Sequence, residues 1–137
     1  MILELHATPQ EVMRAVETLQ EFGREKQMPE KDIFGLALAL EECGSNIVNH
    51  ALHHDPRQTF QVSIEHNGNT ITVELRDSGP EFDPTRAPIN SMAASDENRP
   101  PGGWGIQITR HFIDNIIYRR ENGQNILRLT RKIGSHT

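Results

Sequence analysis

Residues 39–52 read Ala-Leu-Glu-Glu-Cys-Gly-Ser-Asn-Ile-Val-Asn-His-Ala-Leu. Apolar or small residues recur here and just upstream at the spacing of a helix that packs on a core, namely Ile33, Leu36, Ala37, Leu40, Gly44, Ile47 and Ala51. The other face carries Glu42, Asn46, Asn49 and His53. A solvated face would normally carry Lys and Arg as well, but neither occurs between Lys31 and Arg57. We predict a buried helix from about Pro29 to Leu52 with one polar face.

The polar face has two possible uses. Glu42 and Asn46 lie one helical turn apart, so their side chains project together. A carboxylate beside a carboxamide suits an oxygen-ligated Mg²⁺ and a general base. The other possibility is an acidic and amide face that only contacts water. Cys43, on the same helix, is expected to be a small buried residue and not a catalytic one.

Composition limits the class of protein. The 137 residues fit one domain, predicted over residues 1–133 with a tail at 134–137. With 14 basic against 19 acidic residues, the chain is not expected to bind nucleic acid directly. Cys43 is the only cysteine, which favours a reducing compartment. No apolar run approaches the roughly 20 residues that span a bilayer, so we expect a cytoplasmic protein with no membrane partner.

The remaining segments predict an α+β fold. A first helix begins at Pro9, with Thr8 as its N-cap and Glu11 closing a capping box. The predicted strands are Met1–His6, Thr59–Glu65, Thr70–Arg76, Ile116–Glu121 and Asn125–Lys132, with Asn-Gly turns in both hairpins. A third helix is predicted over Trp104–Asn115. This order predicts a two-layer sandwich, in which a mixed or antiparallel sheet carries three helices on one face.

A second motif, Arg76-Asp77-Ser78-Gly79-Pro80, follows a strand and opens a long loop. A carboxylate at a strand end can accept a hydrogen bond from an exocyclic amine, and it would repel the carbonyl oxygen that guanine has there. Asp77 is therefore a candidate reader of adenine. Gly79 removes a side chain where a flat base would approach the backbone. Read alone, the motif is also typical of an ordinary turn.

A third motif, Pro101-Gly102-Gly103-Trp104-Gly105, closes the loop at the start of the third helix. Small residues at a helix N-terminus expose backbone N–H groups to which a phosphate can bind. The same residues would also suit a flexible junction. The P-loop pattern Gly-x-x-x-x-Gly-Lys-Ser/Thr does not occur in the sequence.

In order and spacing, the three motifs resemble the N, G1 and G2 boxes of the GHKL ATPase superfamily. The resemblance is strongest to its stand-alone branch, the anti-sigma-factor serine/threonine kinases of partner-switching pathways, in which a Phe-Asp-Pro like residues 82–84 also follows the second motif. It implies the Bergerat ATP-binding fold, with an ATP lid at about residues 78–103. It implies Glu42 as catalytic base and Asn46 as Mg²⁺ ligand. The implied ATP contacts are Asn46, Asn49, His50, Asp77, Gly79, Phe82, Gly102, Gly103, Trp104 and Gly105.

The resemblance also implies a function. Such a protein binds Mg²⁺ and ATP, sequesters a sigma factor or similar regulator, and phosphorylates a serine or threonine of a STAS-domain antagonist. A homodimer is expected, with a partner surface on the first two helices. The apolar excess of the second helix at Leu36, Leu38 and Leu40 would serve such a dimer or only the packing of the first helix. Family members often have a basic residue just before the G2 glycines, where Pro100 and Pro101 stand here. This difference leaves open an ATP-dependent binding module without kinase turnover.

The histidines near the end of the second helix allow a competing interpretation. His50, His53 and His54, with Asp55, lie within one helical turn and its exit. Imidazoles at that spacing can bind Zn²⁺ or Ni²⁺, although no cysteine ligand is close in sequence. A histidine that interacts with the helix dipole is the simpler explanation.

Overall fold

The computed structural model describes residues 1–86 and 105–134. The strands are β1 (Ile2–His6), β2 (Thr59–Asn67), β3 (Thr70–Asp77), β4 (Asn115–Glu121) and β5 (Gln124–Lys132). The helices are α1 (Pro9–Glu25), α2 (Glu30–Asn46) and α3 (Gly105–Phe112), with a π-helical turn at Ile47–Ala51 and a 3₁₀ turn at Pro84–Arg86. No helix within the described ranges is long and apolar enough to cross a membrane.

The five strands form one antiparallel sheet in the order β1-β2-β3-β5-β4. The register places Leu5, Phe60, Asp77 and Asn125 in one row across four strands. Paired residues in neighbouring strands point to the same face. Asp77 and Asn125 therefore lie on the face to which the buried Leu5 and Phe60 belong.

That face of the sheet packs against the helices. Its buried residues alternate along β2 and β3, at Phe60, Val62, Ile64, Ile71, Val73 and Leu75, and they form one core with Leu19 of α1 and Leu36 and Leu40 of α2. The intervening positions, such as Gln61 and Glu74, are polar and less buried. The predicted α+β sandwich with helices on one face is confirmed.

The leucines of α2 divide between core and surface. Leu36 and Leu40 are buried. Leu38 is half-buried, and it lines an apolar groove with Ile108 and Phe112 of α3. The apolar excess predicted for a partner surface is therefore mostly core packing, and only Leu38 of the three leucines lies at the surface. The partner surface and the homodimer stay predictions.

The predicted capping box of α1 is only half formed. Thr8 caps the helix, since its hydroxyl accepts a hydrogen bond from the Glu11 N–H at 3.2 Å. The Glu11 carboxylate accepts from the His6 N–H at 3.2 Å, and not from Thr8. The Thr8 N–H already donates to the His6 carbonyl at 2.8 Å, which leaves no donor for the expected return bond.

The second helix was predicted to reach Leu52, but its α-helical part ends at Asn46. Its last turn is π-helical, with the Leu52 N–H donating to the Ile47 carbonyl at 2.8 Å. His53 and His54 then take the left-handed conformation, with φ of 51° and 58°. This chain reversal removes His53 from the polar face on which helical spacing placed it.

The hairpins are close to prediction. Asn67 pairs with Thr70, so the first turn is centred on Gly68-Asn69, one residue later than predicted. The second turn has Asn122 and Gly123 at its centre as predicted, with φ of 52° and 76°. Helix α3 ends at Phe112, before the predicted Asn115, because Asn115 pairs with Thr130 in the sheet.

A buried ion pair fastens the start of α2 to the end of β5. Both Nε and Nη2 of Arg131 lie 2.8 Å from Oδ1 of Asp32. The other Asp32 oxygen accepts from the Gly134 N–H at 3.1 Å. Arg131 also donates to the Phe112 carbonyl at the end of α3. Both oxygens of this carboxylate are thus satisfied within the protein.

Candidate functional site

Asp77 is the last residue of β3 and is 4% exposed. Its Oδ1 accepts two hydrogen bonds at 2.9 Å, from the Gly79 N–H and from Nδ2 of Asn125. The bond to Gly79 is the turn that Asp commonly forms with the backbone two residues on. Its Oδ2 has no hydrogen-bond partner in the part of the chain that the structure describes. One oxygen of a buried carboxylate is therefore available to an outside donor.

Gly79 lies against the π-helical turn that ends the second helix. A Cβ on Gly79 would lie 2.6 Å from the carbonyl oxygen of Ala51 and 3.1 Å from its carbon. Both atoms belong to backbone, which cannot turn aside as a flexible side chain can. The protein thus needs glycine here for its own packing, a reason that the sequence did not give.

A pocket joins the end of the second helix to β3. It is lined by Cys43, Asn46, Ile47, Leu75, Asp77, Phe82, Pro84, Tyr118, Asn125 and Leu127. Its cavity has a volume of about 20 Å³, room for about one water molecule. A planar base is larger, so the walls must separate to admit it. Phe82 is the lining residue that belongs to neither a helix nor a strand.

Two of the predicted residues contact each other, and one of them, Phe82, lines the pocket. The rings of His50 and Phe82 are stacked, with centroids 5.6 Å apart and planes inclined by 24°. His50 comes from the π-helical turn and Phe82 from the loop after Gly79. The structure thus brings together residues 32 positions apart that the sequence assigned to one site.

The end of α2 supplies the predicted metal ligand and base. Asn46 is 8% exposed and lines the pocket, yet no described residue forms a hydrogen bond with its side-chain amide. Glu42 is half-buried one turn earlier. Burial raises the pKa of the Glu42 carboxyl above its ordinary value of 4.5, and the neighbouring Glu41 carboxylate raises it further. A raised pKa makes a carboxylate a better proton acceptor near neutral pH.

A buried amide without a partner is uncommon, because its desolvation is then not compensated. A group of this kind at the edge of a pocket is a candidate ligand contact. Asn49 is half-buried in the π-helical turn, three residues further on. Turns of this kind occur often at functional sites.

Sequence reasoning missed three residues of β4 and β5. Tyr118 and Asn125 line the pocket, and Arg120 contacts Asn125. Asn125 is 5% exposed and forms hydrogen bonds with Asp77 and with both other residues. A signal was present in the sequence, since Asn125 occupies an inward position of β5 in alternation with the buried Leu127 and Leu129. A polar residue at a core position of a strand usually has a partner.

Cys43 is buried, as predicted. Burial raises the pKa of its thiol to about 12, and its sulfur lies 3.8 Å from the Thr109 hydroxyl. The alternative of a transition-metal site among the histidines is not supported. Within residues 1–86 and 105–134, no group of three or more His, Cys, Asp or Glu side chains is placed to hold a metal ion.

The third motif lies mostly outside the described residues. Gly102, Gly103 and Trp104 are not among them, and neither are residues 87–101 of the predicted lid. Gly105 is the first residue of α3. The phosphate-binding role of these residues stays a prediction.

The fold is thus an antiparallel sheet under three helices, with a buried carboxylate and a buried amide lining one small pocket. A family model described as histidine kinase-like ATPase domain matches residues 5–131. This chain belongs to that family, as the sequence resemblance indicated.

Individual relatives are similar over most of the chain. The serine/threonine-protein kinase BtrW of Bordetella bronchiseptica is 29% identical over 128 residues, which are 93% of this chain and 90% of BtrW. The fold is similar to that in the SiaB-SiaC complex from Pseudomonas aeruginosa, with a TM-score of 0.72 and 12% identity over 96% of this chain and 88% of the other.

A second solved structure contains the RsbU and RsbW domains of Rv1364c from Mycobacterium tuberculosis. Its TM-score is 0.70 at 16% identity, over 97% of this chain. This chain spans 31% of the length of that one. At such identities these two likenesses concern the fold alone.

Proposed function

We propose that this protein binds Mg²⁺ and ATP in the pocket between Asp77 and Asn46, and that it is an anti-sigma-factor-type serine/threonine kinase. The observation that carries the proposal is a pair of unsatisfied groups. Oδ2 of Asp77 and the amide of Asn46 are buried at one pocket and have no partner among the described residues. Buried polar groups without partners cost stability, which a ligand that binds them would recover.

Asp77 is proposed to recognise the base. Its free oxygen can accept a hydrogen bond from the exocyclic amine of adenine, whereas the carbonyl oxygen of guanine would meet it acceptor to acceptor. The apolar walls formed by Ile47, Leu75 and Leu127 suit the faces of a purine ring. Specificity for ATP over GTP follows from this arrangement.

Asn46 fits a role as Mg²⁺ ligand. Its amide supplies a hard oxygen, the type that Mg²⁺ prefers, and one protein ligand is enough when phosphates and waters complete the shell. When bound, Mg²⁺ neutralises the negative charge of the phosphates. The buried and unpartnered state of the Asn46 amide in the protein alone supports this assignment.

Glu42 is proposed to accept the proton of the hydroxyl that attacks the γ-phosphate. It lies one helical turn before Asn46, so base and metal ligand project from the same side of α2. The raised pKa of Glu42 favours proton acceptance near neutral pH. The proposed general base, Glu42, and the proposed metal ligand, Asn46, thus lie on α2, and the proposed adenine-binding residue, Asp77, lies on β3.

The proposed acceptor is a serine or threonine of a STAS-domain antagonist, and the proposed sequestered partner is a sigma factor or similar regulator. Similarity to BtrW, named as a serine/threonine-protein kinase, supports the kinase assignment. The second candidate function is an ATP-dependent binding module without turnover. It is favoured by Pro100 and Pro101, which stand where related kinases often have a basic residue.

The test compares two adjacent carboxylates. Partners captured with the tagged protein are incubated with Mg²⁺ and γ-labelled ATP, using wild type, Glu42→Gln and Glu41→Gln. Glu41 is a matched control, since it is half-buried on the same helix. Loss of a general base should reduce labelling by roughly 100-fold or more, whereas Glu41→Gln should label like wild type.

The labelled residue is identified by mass spectrometry. Label on a serine or threonine that disappears only in Glu42→Gln would support the kinase. Equal labelling by Glu42→Gln and wild type would exclude Glu42 as the base. If wild type binds ATP and partner but transfers no label, the protein is a nucleotide-dependent binding module.

A further inference from the structure

Asn125 is the most highly connected polar side chain of the site, with five hydrogen bonds from one amide. It lies directly opposite Asp77 in the pairing of β3 with β5. It comes from a different strand than any residue predicted from the motifs. From this position Asn125 can set the orientation of the Asp77 carboxylate toward a ligand.

The amide nitrogen of Asn125 is fully used. It donates one hydrogen to Oδ1 of Asp77 and the other to the carbonyl of Pro80, both at 2.9 Å. An amide nitrogen has only two hydrogens. Because both are committed, the side chain has one orientation that satisfies its neighbours, and Oδ1 of Asp77 is held by the protein.

The amide oxygen of Asn125 accepts from three donors. These are the Phe82 N–H at 3.0 Å, the Tyr118 hydroxyl at 2.6 Å and Nη1 of Arg120 at 3.2 Å. Nη1 of Arg120 also donates to the Gly79 carbonyl at 2.8 Å. Asn125 therefore holds the backbone at the Pro80 carbonyl and the Phe82 N–H, while Arg120 holds the Gly79 carbonyl. This segment carries the ring that stacks on His50.

We infer that Asn125 is a specificity-determining positioning residue, which commits one oxygen of Asp77 to the protein and leaves only the other oxygen for the ligand. This inference rests on the proposed nucleotide site and deepens it. A carboxylate held by a single backbone N–H could rotate, since its terminal torsion has a broad energy profile. With Asn125 in place, Oδ2 of Asp77 has one fixed direction. It can then accept a hydrogen bond from the amine of adenine and repel the carbonyl oxygen of guanine.

The isosteric change Asn125→Asp tests this directly. It replaces the donor that faces Asp77 with an acceptor, while size and shape stay the same. Two carboxylates at hydrogen-bond distance cannot both ionise without strong repulsion, so one of them takes up a proton at higher pH than usual. Protonated, the new carboxyl could again donate to Oδ1 of Asp77. The defect should therefore lessen as pH falls.

Other titratable or charged groups lie near this position. They are Asp77 on β3, Tyr118 and Arg120 on β4, Cys43 on α2, and Glu81 and Asp83 in the loop. The ATP-over-GTP preference of the variant is therefore divided by that of wild type at each pH, because these groups and the phosphates of ATP affect both proteins alike.

Binding of Mg²⁺-ATP and Mg²⁺-GTP is measured by isothermal titration calorimetry at pH 8 and pH 6. The proteins are wild type, Asn125→Asp and the control Asn115→Asp, which changes an exposed asparagine at the start of β4. We expect the ATP-over-GTP preference of Asn125→Asp to fall at least roughly tenfold at pH 8, the effect of losing a hydrogen bond to a charged group. It should recover partly at pH 6, and Asn115→Asp should match wild type.

The outcomes separate the two proposals. Wild type that binds neither nucleotide would overturn the nucleotide site and this inference with it. Wild type that prefers ATP, with Asn125→Asp keeping the same preference at pH 8, would overturn the role of Asn125 alone. A preference lost at pH 8 without recovery at pH 6 would contradict the proton-linked contact. If Asn125→Asp does not fold, Asn125→Ser should lose the preference at both pH values, and a retained preference would again overturn the role.

Discussion

Two buried aspartates lie near opposite ends of β5, roughly 20 Å apart along the strand, and they are held in different ways. Asp32 has both oxygens satisfied and its charge balanced by Arg131 at 2.8 Å. Asp77 is held by two uncharged N–H donors on one oxygen, and the other oxygen has no partner in the described parts of the chain. The two carboxylates are similarly buried, but they differ in their hydrogen-bond and charge partners.

The difference indicates what each group is for. A buried carboxylate is costly unless it is paired and hydrogen-bonded. Asp32 meets both conditions within the protein, so its role is to fasten α2, α3 and β5 together. Asp77 meets them only in part, which indicates that the structure leaves an acceptor available for a ligand. Predictions that contrast the two residues test this assignment.

The largest expected effect is on stability. Asp32→Asn leaves the buried Arg131 without a counter-charge, which should lower the free energy of unfolding by about 3–5 kcal/mol. Asp77→Asn keeps an acceptor for Gly79 and Asn125 and removes an uncompensated charge. We expect it to stay within about 1 kcal/mol of wild type. Urea denaturation of both variants gives the comparison.

A double variant, Asp32→Leu with Arg131→Met, serves as control. Replacing both partners of a buried ion pair by apolar residues is often close to neutral, so it should recover much of the stability lost in Asp32→Asn. If Asp77→Asn were the more destabilising of the two single variants, the division between a structural and a ligand-binding aspartate would be wrong.

A smaller effect is expected where the loop meets the π-helical turn. Gly79→Ala places a Cβ 2.6 Å from the Ala51 carbonyl oxygen, and we expect a loss of about 1–3 kcal/mol from overpacking. Gly44→Ala is the matched control, since its nearest contacts are Val12 methyl groups, the closest at 3.1 Å. Side-chain methyls can move aside, so Gly44→Ala should cost less. Equal thermal unfolding midpoints for Gly79→Ala and wild type would contradict the close packing.

The smallest effect concerns Glu42. Its pKa in the folded protein is raised from 4.5, so ionisation of this group costs stability. The stability that it contributes is present below its unfolded pKa and is lost as pH rises through the folded value. Glu42→Gln does not ionise, so it should be more stable than wild type at pH 7, and the difference should shrink as pH falls toward 4. A variant less stable than wild type at pH 7 would show that the ionised carboxylate has a favourable partner.

The fold and the first two motifs were predictable because local patterns determine them. The alternation in β2 and β3 and the Asn-Gly turn between β4 and β5 each depend on residues close in sequence. The sequence could single out Asp77 and Gly79 as candidates for the same reason, since they form a local turn. Helical spacing failed at Ile47–Ala51, where the wider π-helical turn changes the side on which the following residues lie.

The far wall of the site could not be predicted in the same way. Asn125 meets Asp77 only through the pairing of β3 with β5, 48 residues apart in the chain. Likewise Arg131 and Asp32 are 99 residues apart, and nothing in their local sequences links them. Periodicity shows that a residue faces the core, but it does not show which residue it meets there.

A thermodynamic cycle that combines a ligand change with a residue change tests most directly whether the free oxygen of Asp77 binds an exocyclic amine. Affinities of ATP and of purine riboside triphosphate, which lacks the amine, are measured by calorimetry for wild type and Asp77→Asn. Removing the amine should weaken binding to wild type by roughly 10- to 150-fold, as for a hydrogen bond to a charged group, and should change binding to Asp77→Asn little. An equal loss in both proteins would mean that the amine does not bind Asp77.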